Sequence, residues 1–148
     1  MTLVAAVVAL RIAGRSDRAS LYVSTRLAGN SFEIVVTNLT VRTIHVRDVE
    51  IQIGRLFPTT VDDENIGLHF SGASYLPVDL IGGRDVSFAT PLGNDVSYLP
   101  GRLRQARSRR PLDRRLFVSV EMGDRRRIRR AIPRAVATEL LERGAVIP

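Results

Sequence analysis

Apolar and polar side chains alternate with period two through much of the first two-thirds of the chain, the mark of strands with one face toward a core. In Leu21-Tyr22-Val23-Ser24-Thr25-Arg26-Leu27, the apolar Leu21, Val23 and Leu27 share a face and Ser24 and Arg26 take the other. Ala28-Gly29-Asn30 follows, and because such residues tolerate positive φ it predicts a hairpin turn. The next strand, Phe32-Glu33-Ile34-Val35-Val36, again turns Phe32, Ile34 and Val36 one way. From Thr43 to Ile53 the phase changes: Ile44 and Val46 are apolar at even positions, Val49, Ile51 and Ile53 at odd ones. One regular strand cannot send both sets inward, so a bulge or bend is expected near Arg47-Asp48.

Further along, a polar loop is expected from Pro58 to Glu64, a short strand around Leu68-His69-Phe70, extended chain from Gly72 to Leu80, and a strand over Val86-Ser87-Phe88-Ala89. Asn94 or Asp95 could cap a short helix toward Tyr98, which Pro100-Gly101 should interrupt, with a turn or two over Leu99, Leu103 and Ala106. Ser108 to Pro111 reads as an exposed link. Leu116 to Met122 is a clear strand, Gly123-Asp124 its turn, and Arg125 to Ile132 the return. Pro133 ahead of Ala135–Leu141, with Gly144 beyond, predicts a closing helix at about 134–143. The apolar run at residues 3–10 is far short of the roughly 20 residues that cross a bilayer. It reads as a first buried strand, with a degenerate anchor as the alternative, and no membrane span is expected.

Eight or nine short strands with turns between them predict a single all-β domain over 1–148, an antiparallel β-sandwich with a short C-terminal helix. The run Phe32-Glu33-Ile34-Val35-Val36-Thr37-Asn38, followed by Ile44 and Val49, resembles immunoglobulin-like modules of uncharacterised bacterial and phage proteins. Leu76-Pro77, Leu80-Ile81-Gly82-Gly83 and Val86-Ser87-Phe88 are similar to the later part of those modules. The resemblance covers residues 19–132 and implies an immunoglobulin-like sandwich. It lacks the Cys…Trp…Cys pattern of antibody domains, so it implies architecture and no activity.

Composition changes this picture in two ways. With no cysteine there is no disulfide, thiolate metal site or cysteine nucleophile. The charge is lopsided: residues 1–100 carry 8 Arg against 10 acids, net −2, while residues 101–148 carry 14 Arg against 5 acids, net +9. Every one of the 22 basic residues is arginine, a permanently charged group that grips carboxylate or phosphate with two bonds. A near-neutral body joined to a cationic C-terminal third, 101–134, selects anionic partners.

Catalytic and metal-binding patterns are sparse. His45 and His69 lie in predicted strands, and His45 is out of phase with Ile44 and Val46, so it should be exposed. Asp48, Glu50, Asp62, Asp63 and Glu64 could supply further ligands, but their spacing matches no metal site, and no metal or other cofactor is expected. Asp48 and Glu50 share a strand face, as a carboxylate pair for glycoside chemistry would, although arginines on a neighbouring strand would explain them equally well. No nucleophile elbow, Walker loop or dinucleotide fingerprint occurs, so an enzyme is not expected. Asn38-Leu39-Thr40 matches a glycosylation acceptor and is read as chance.

The arginines remain. Arg125, Arg127 and Arg129 should share one strand face and Arg126, Ile128, Arg130 and Ile132 the other, on a strand near a sheet edge. Arg102, Arg104, Arg107, Arg109 and Arg110 lie upstream with Arg114 and Arg115, and the fold could bring both groups to one end. The candidate contact set is therefore Arg102, Arg104, Arg107, Arg109, Arg110, Arg125, Arg126, Arg127, Arg129 and Arg130. Aromatic residues and recognition helices are scarce there, which argues against reading of bases. The expected role is a non-enzymatic module docking onto an acidic protein surface or neighbouring subunits of a larger assembly such as a virion, with a homo-oligomer as a further option. Nonspecific binding of nucleic-acid backbone is the alternative and a small hydrolase or sugar-binding protein the third. A cytoplasmic or virion location follows.

Overall fold

The computed structural model describes residues 21–61, 76–92 and 99–143. The expected N-terminal strand at 3–10, the Leu68–Phe70 strand with His69, the acidic run Asp62–Glu64 and the cap at Asn94 or Asp95 lie outside the described residues. β1 (Leu21–Ala28) and β2 (Ser31–Asn38) form an antiparallel hairpin through Gly29-Asn30, with Gly29 at φ 58°. β6 (Asp85–Pro91) pairs with the far side of β2, completing a three-stranded sheet, β1-β2-β6.

The second sheet is also antiparallel and runs β4-β3-β7-β8, from β4 (Thr59–Thr60), β3 (Ile44–Ile53), β7 (Leu116–Met122) and β8 (Arg127–Ala131). β5 (Val78–Leu80) pairs with the first residues of β3. The register between β3 and β7 slips between Val46 and Asp48, where the sequence calls for a bulge. The slip lets Val46 on one side and Val49, Ile51 and Ile53 on the other all be buried. β8 is the edge of this sheet.

One aliphatic core joins the two sheets: Phe32, Ile34, Val36 and Phe88 from the first cluster with Val46, Ile51, Val118 and Val120 from the second. Two helices close it. α1 (Leu99–Ser108) contributes Leu99 and Leu103, and α2 (Arg134–Glu142) contributes Leu140. The expected break at Pro100-Gly101 does not occur, since both residues sit in the first turn of α1. There the missing proline N–H has no helical partner to lose, and its fixed φ suits the helix. α1 also extends through Ser108, shortening the expected link. The helices are tied by Arg104, whose Nη1 donates to the Leu141 carbonyl at 2.8 Å, an acceptor the end of α2 leaves without a helical donor.

Candidate anion-binding face

The arginines divide according to what the hairpin does with them. Arg125 and Arg126 are not strand residues, contrary to the expected alternation from Arg125. They belong to the β7–β8 turn, where Arg125 takes φ 65° and its N–H donates to the Met122 carbonyl at 2.9 Å. Asp124 accepts the Arg126 N–H at 3.1 Å and pairs with its guanidinium. The strand therefore starts at Arg127, and Ile128 points into the core.

Arg127 and Arg129 lie on the outer face, over Glu121 and Ser119 of β7. Arg127 reaches Glu50 of β3 at 3.0 Å and also bonds Glu121, both of them mostly buried carboxylates. Glu50 further accepts from Gln52 Nε2 at 3.1 Å and Thr60 Oγ1 at 3.2 Å. Desolvation works against the charge on Glu50, but the Gln52 bond and the Arg127 guanidinium outweigh it and hold its pKa below the usual value. Burial, then a hydrogen bond and repulsion from Glu50, push Asp48 up. Arg129 donates to Gln52 Oε1 at 2.9 Å and to the Arg55 carbonyl at 3.2 Å, and its Cζ stands 3.8 Å from the Phe117 ring centroid. Glu50 is thus knitted to a neighbouring strand by the arginine partnering foreseen for the pair, whereas Asp48 bonds the Val49 N–H of its own strand. These two arginines are committed to the protein itself.

The 109–115 link is fastened to the loop after β3. Arg110 donates to the Phe57 carbonyl and Thr59 Oγ1. Asp113 accepts the backbone N–H of Arg55 at 2.6 Å and of Leu56 at 3.1 Å. The Arg55 donor, opposed by desolvation and joined by Leu56, holds Asp113 below its ordinary 3.8, and the Arg126 N–H does the same for Asp124. A carboxylate with a depressed folded pKa adds stability above its ordinary value and loses it as pH falls through that value toward the folded one. Stability should accordingly fall from pH 5 toward pH 3, and Asp113→Asn should flatten part of that slope. Urea titrations at the two pH values measure it, and parallel slopes in the two proteins would count against the assignment. Asp48 acts with the opposite sign, its raised pKa lowering stability as pH rises through it.

What these bonds leave is concentrated at the end of the hairpin where β7 begins and β8 ends. A cleft of about 300 Å³ opens there between the last turn of α1, the link and the first turns of α2. Arg107, Arg114, Arg115 and Arg134 line it together with the aliphatic Leu116, Ile132, Ala137 and Leu141, and among the described residues no acid does. The Nε of Arg107 is buried without a hydrogen-bond partner. Arg134 occupies the first position of α2, whose first turn has no acid and whose Pro133 cap offers no side-chain bond.

Of the ten expected contact residues, only Arg107 lines this cleft. Arg109 is exposed on the adjoining link and Arg130 on β8 near the same end, while Arg102 and Arg104 are half-buried on α1. Arg125 and Arg126 stand at the opposite end of the hairpin, about 17 Å away for a five-residue strand, so the two groups do not meet. Arg114, Arg115 and Arg134 were not in the expected set. Arg134, directly after a proline that starts a helix, carried a signal that could have found it.

Elsewhere, His45 is exposed as expected, with Nδ1 2.6 Å from Asp79 Oδ1. It borders a second cleft of about 290 Å³ that also holds Arg42, Asp124 and Arg126. Among the described residues no three His, Cys, Asp or Glu side chains gather as metal ligands, and no helix is long and apolar enough to cross a membrane. No protein-family model matches the chain, and no curated protein matches it in sequence.

Proposed function

We propose that this is a non-enzymatic interaction module, an immunoglobulin-like β-sandwich that docks onto an acidic protein surface through the arginines its own acids leave unneutralised. The observation that carries the reading is the cleft where Arg107, Arg114, Arg115 and Arg134 converge with no acid among the described residues that line it. Like charges so placed repel one another, and an anionic partner relieves that repulsion. Arg109 and Arg130 extend the cationic surface around it. The partner is a neighbouring subunit of a larger assembly, such as a virion, or another copy of the chain presenting its acidic residues.

Retention on immobilised poly-glutamate at low salt tests this, with the quintuple variant Arg109→Gln, Arg114→Gln, Arg115→Gln, Arg130→Gln and Arg134→Gln as control. The natural chain should be retained and the variant not. Arg127→Gln should stay retained, although it removes the guanidinium that Glu50 and Glu121 share and lowers stability. Equal retention of all three proteins, or of none, would sink the reading. Duplex DNA releasing the chain far more readily than poly-glutamate of equal charge would favour nucleic-acid backbone instead.

A further inference from the structure

We infer that the cleft receives an aliphatic side chain flanked by carboxylates, so that the partner presents an acidic peptide segment with an apolar residue at its centre. This rests on the docking role proposed above and specifies its chemistry. The guanidiniums of Arg107, Arg114, Arg115 and Arg134 supply the polar side of the cleft, whereas the partly buried Ala137 and Leu141 supply an apolar one, backed by the buried Leu116 and Ile132. A phosphoryl group would satisfy the guanidiniums and leave the aliphatic wall and most of a 300 Å³ space unused. A nucleotide base would need an aromatic platform, and none of the described residues lining the cleft is aromatic. The nearby Phe117 is on the outer sheet face beneath Arg129. A peptide meets both surfaces: its aliphatic side chain covers the wall while the neighbouring carboxylates take bidentate bonds.

Arg134 adds an independent argument. A cation at the N-terminal end of a helix opposes the helix dipole, and no acid in the first turn of α2 compensates it. A chain shaped for stability alone would place an acid or a neutral residue there. Arg134 is therefore a specificity residue held at some cost in stability, as binding sites commonly are.

Fluorescence anisotropy with a labelled Asp-Glu-Leu-Glu-Asp peptide and its serine-centred counterpart tests the proposal on the full chain. The leucine peptide should bind about tenfold more tightly, the factor expected for burying much of one leucine side chain. Thr138→Trp, which fills the cleft from an exposed position on α2 without changing charge, should abolish that difference and leave the serine peptide's affinity unchanged. Arg134→Gln should weaken both peptides about fivefold while the thermal midpoint holds or rises. A lower midpoint would make Arg134 a structural residue and overturn this part of the argument. Equal affinity for the two peptides would overturn the inference yet leave the docking role standing, because diffuse charge would then suffice. No binding of either peptide at low salt would remove both, and so would displacement of the leucine peptide by pyrophosphate at lower concentration than by the serine peptide.

Discussion

Asn38→Ala is expected to destabilise the protein by about 3 kcal/mol, the sum of the donor and acceptors it leaves unpaired at about 1 kcal/mol or more each. The side chain is completely buried at the end of β2. Its Nδ2 donates to the Arg42 carbonyl at 2.6 Å and the Leu80 carbonyl at 2.8 Å, and its Oδ1 accepts from the Thr40 N–H at 2.9 Å and the Thr40 hydroxyl at 2.8 Å. Leu80 belongs to β5, so this one amide joins the three-stranded sheet to the five-stranded one. The loops it ties lie so close that a Cβ on Gly82 would sit 2.6 Å from the Thr40 carbonyl oxygen. Asn38→Asp should be at least as damaging, because it presents an acceptor to two carbonyls. Urea unfolding midpoints measure both, and a loss under about 1 kcal/mol for alanine would show that the loops hold without the amide. The same bonds occupy both amide hydrogens of Asn38 in the Asn38-Leu39-Thr40 triplet of the folded chain.

Gly54→Ala is expected to cost about 2–5 kcal/mol, adding a penalty of about 1–2 for an L-residue in the left-handed region to about 1–3 for overpacking. Gly54 has φ 100°, and a Cβ there would stand 2.5 Å from Arg110 Nη1, 2.9 Å from the Phe57 carbonyl oxygen and 3.1 Å from Asp113 Oδ2. The guanidinium can move aside, but the carbonyl is main chain and Asp113 is held by two backbone N–H groups. The substitution therefore pries the link from its loop. Arg114 and Arg115 ride on that link, and the Gly54 N–H itself bonds the Arg115 carbonyl at 2.9 Å. Affinity for the acidic peptide should fall together with stability. Gly29→Ala is the control, since it has φ 58° but nothing within 4 Å of the added carbon. It should cost only the backbone penalty of about 1 kcal/mol and leave binding intact. Equal losses at the two glycines would refute the packing argument.

Legibility followed the range of the interactions. The β1–β2 hairpin, the bulge at Arg47-Asp48, the strand at Leu116–Met122 and the closing helix each follow from side-chain periodicity and turn chemistry within a dozen residues. The break expected at Pro100-Gly101 failed for a local reason of another kind. A proline forbids a helix interior and suits a first turn, and only the position of the helix start distinguishes the two. The arginine run misled because two acts of folding divide it. Asp124 and the left-handed Arg125 draw two residues into the turn, and Arg127 meets not only the nearby Glu121 but Glu50, 77 residues earlier. The cleft was hidden because its four arginines come from α1, the link and α2, brought together only by the path of the chain around β7 and β8.

The arginines that line the cleft carry almost none of the bonds that hold the sheets and helices together; Arg114, through a 3.3 Å contact to the Arg110 carbonyl, comes nearest to doing so. Arg127, Arg129, Arg110 and Arg104, by contrast, cannot change without loosening a strand, a loop or a helix. Substitutions at Arg107, Arg114, Arg115 and Arg134 can therefore accumulate one at a time while the architecture is retained, and because the four share one cleft each change alters what the others contribute to binding. A lineage of such proteins could exchange one partner for another by small steps, with the tied arginines inherited unchanged beneath a recognition surface free to diverge.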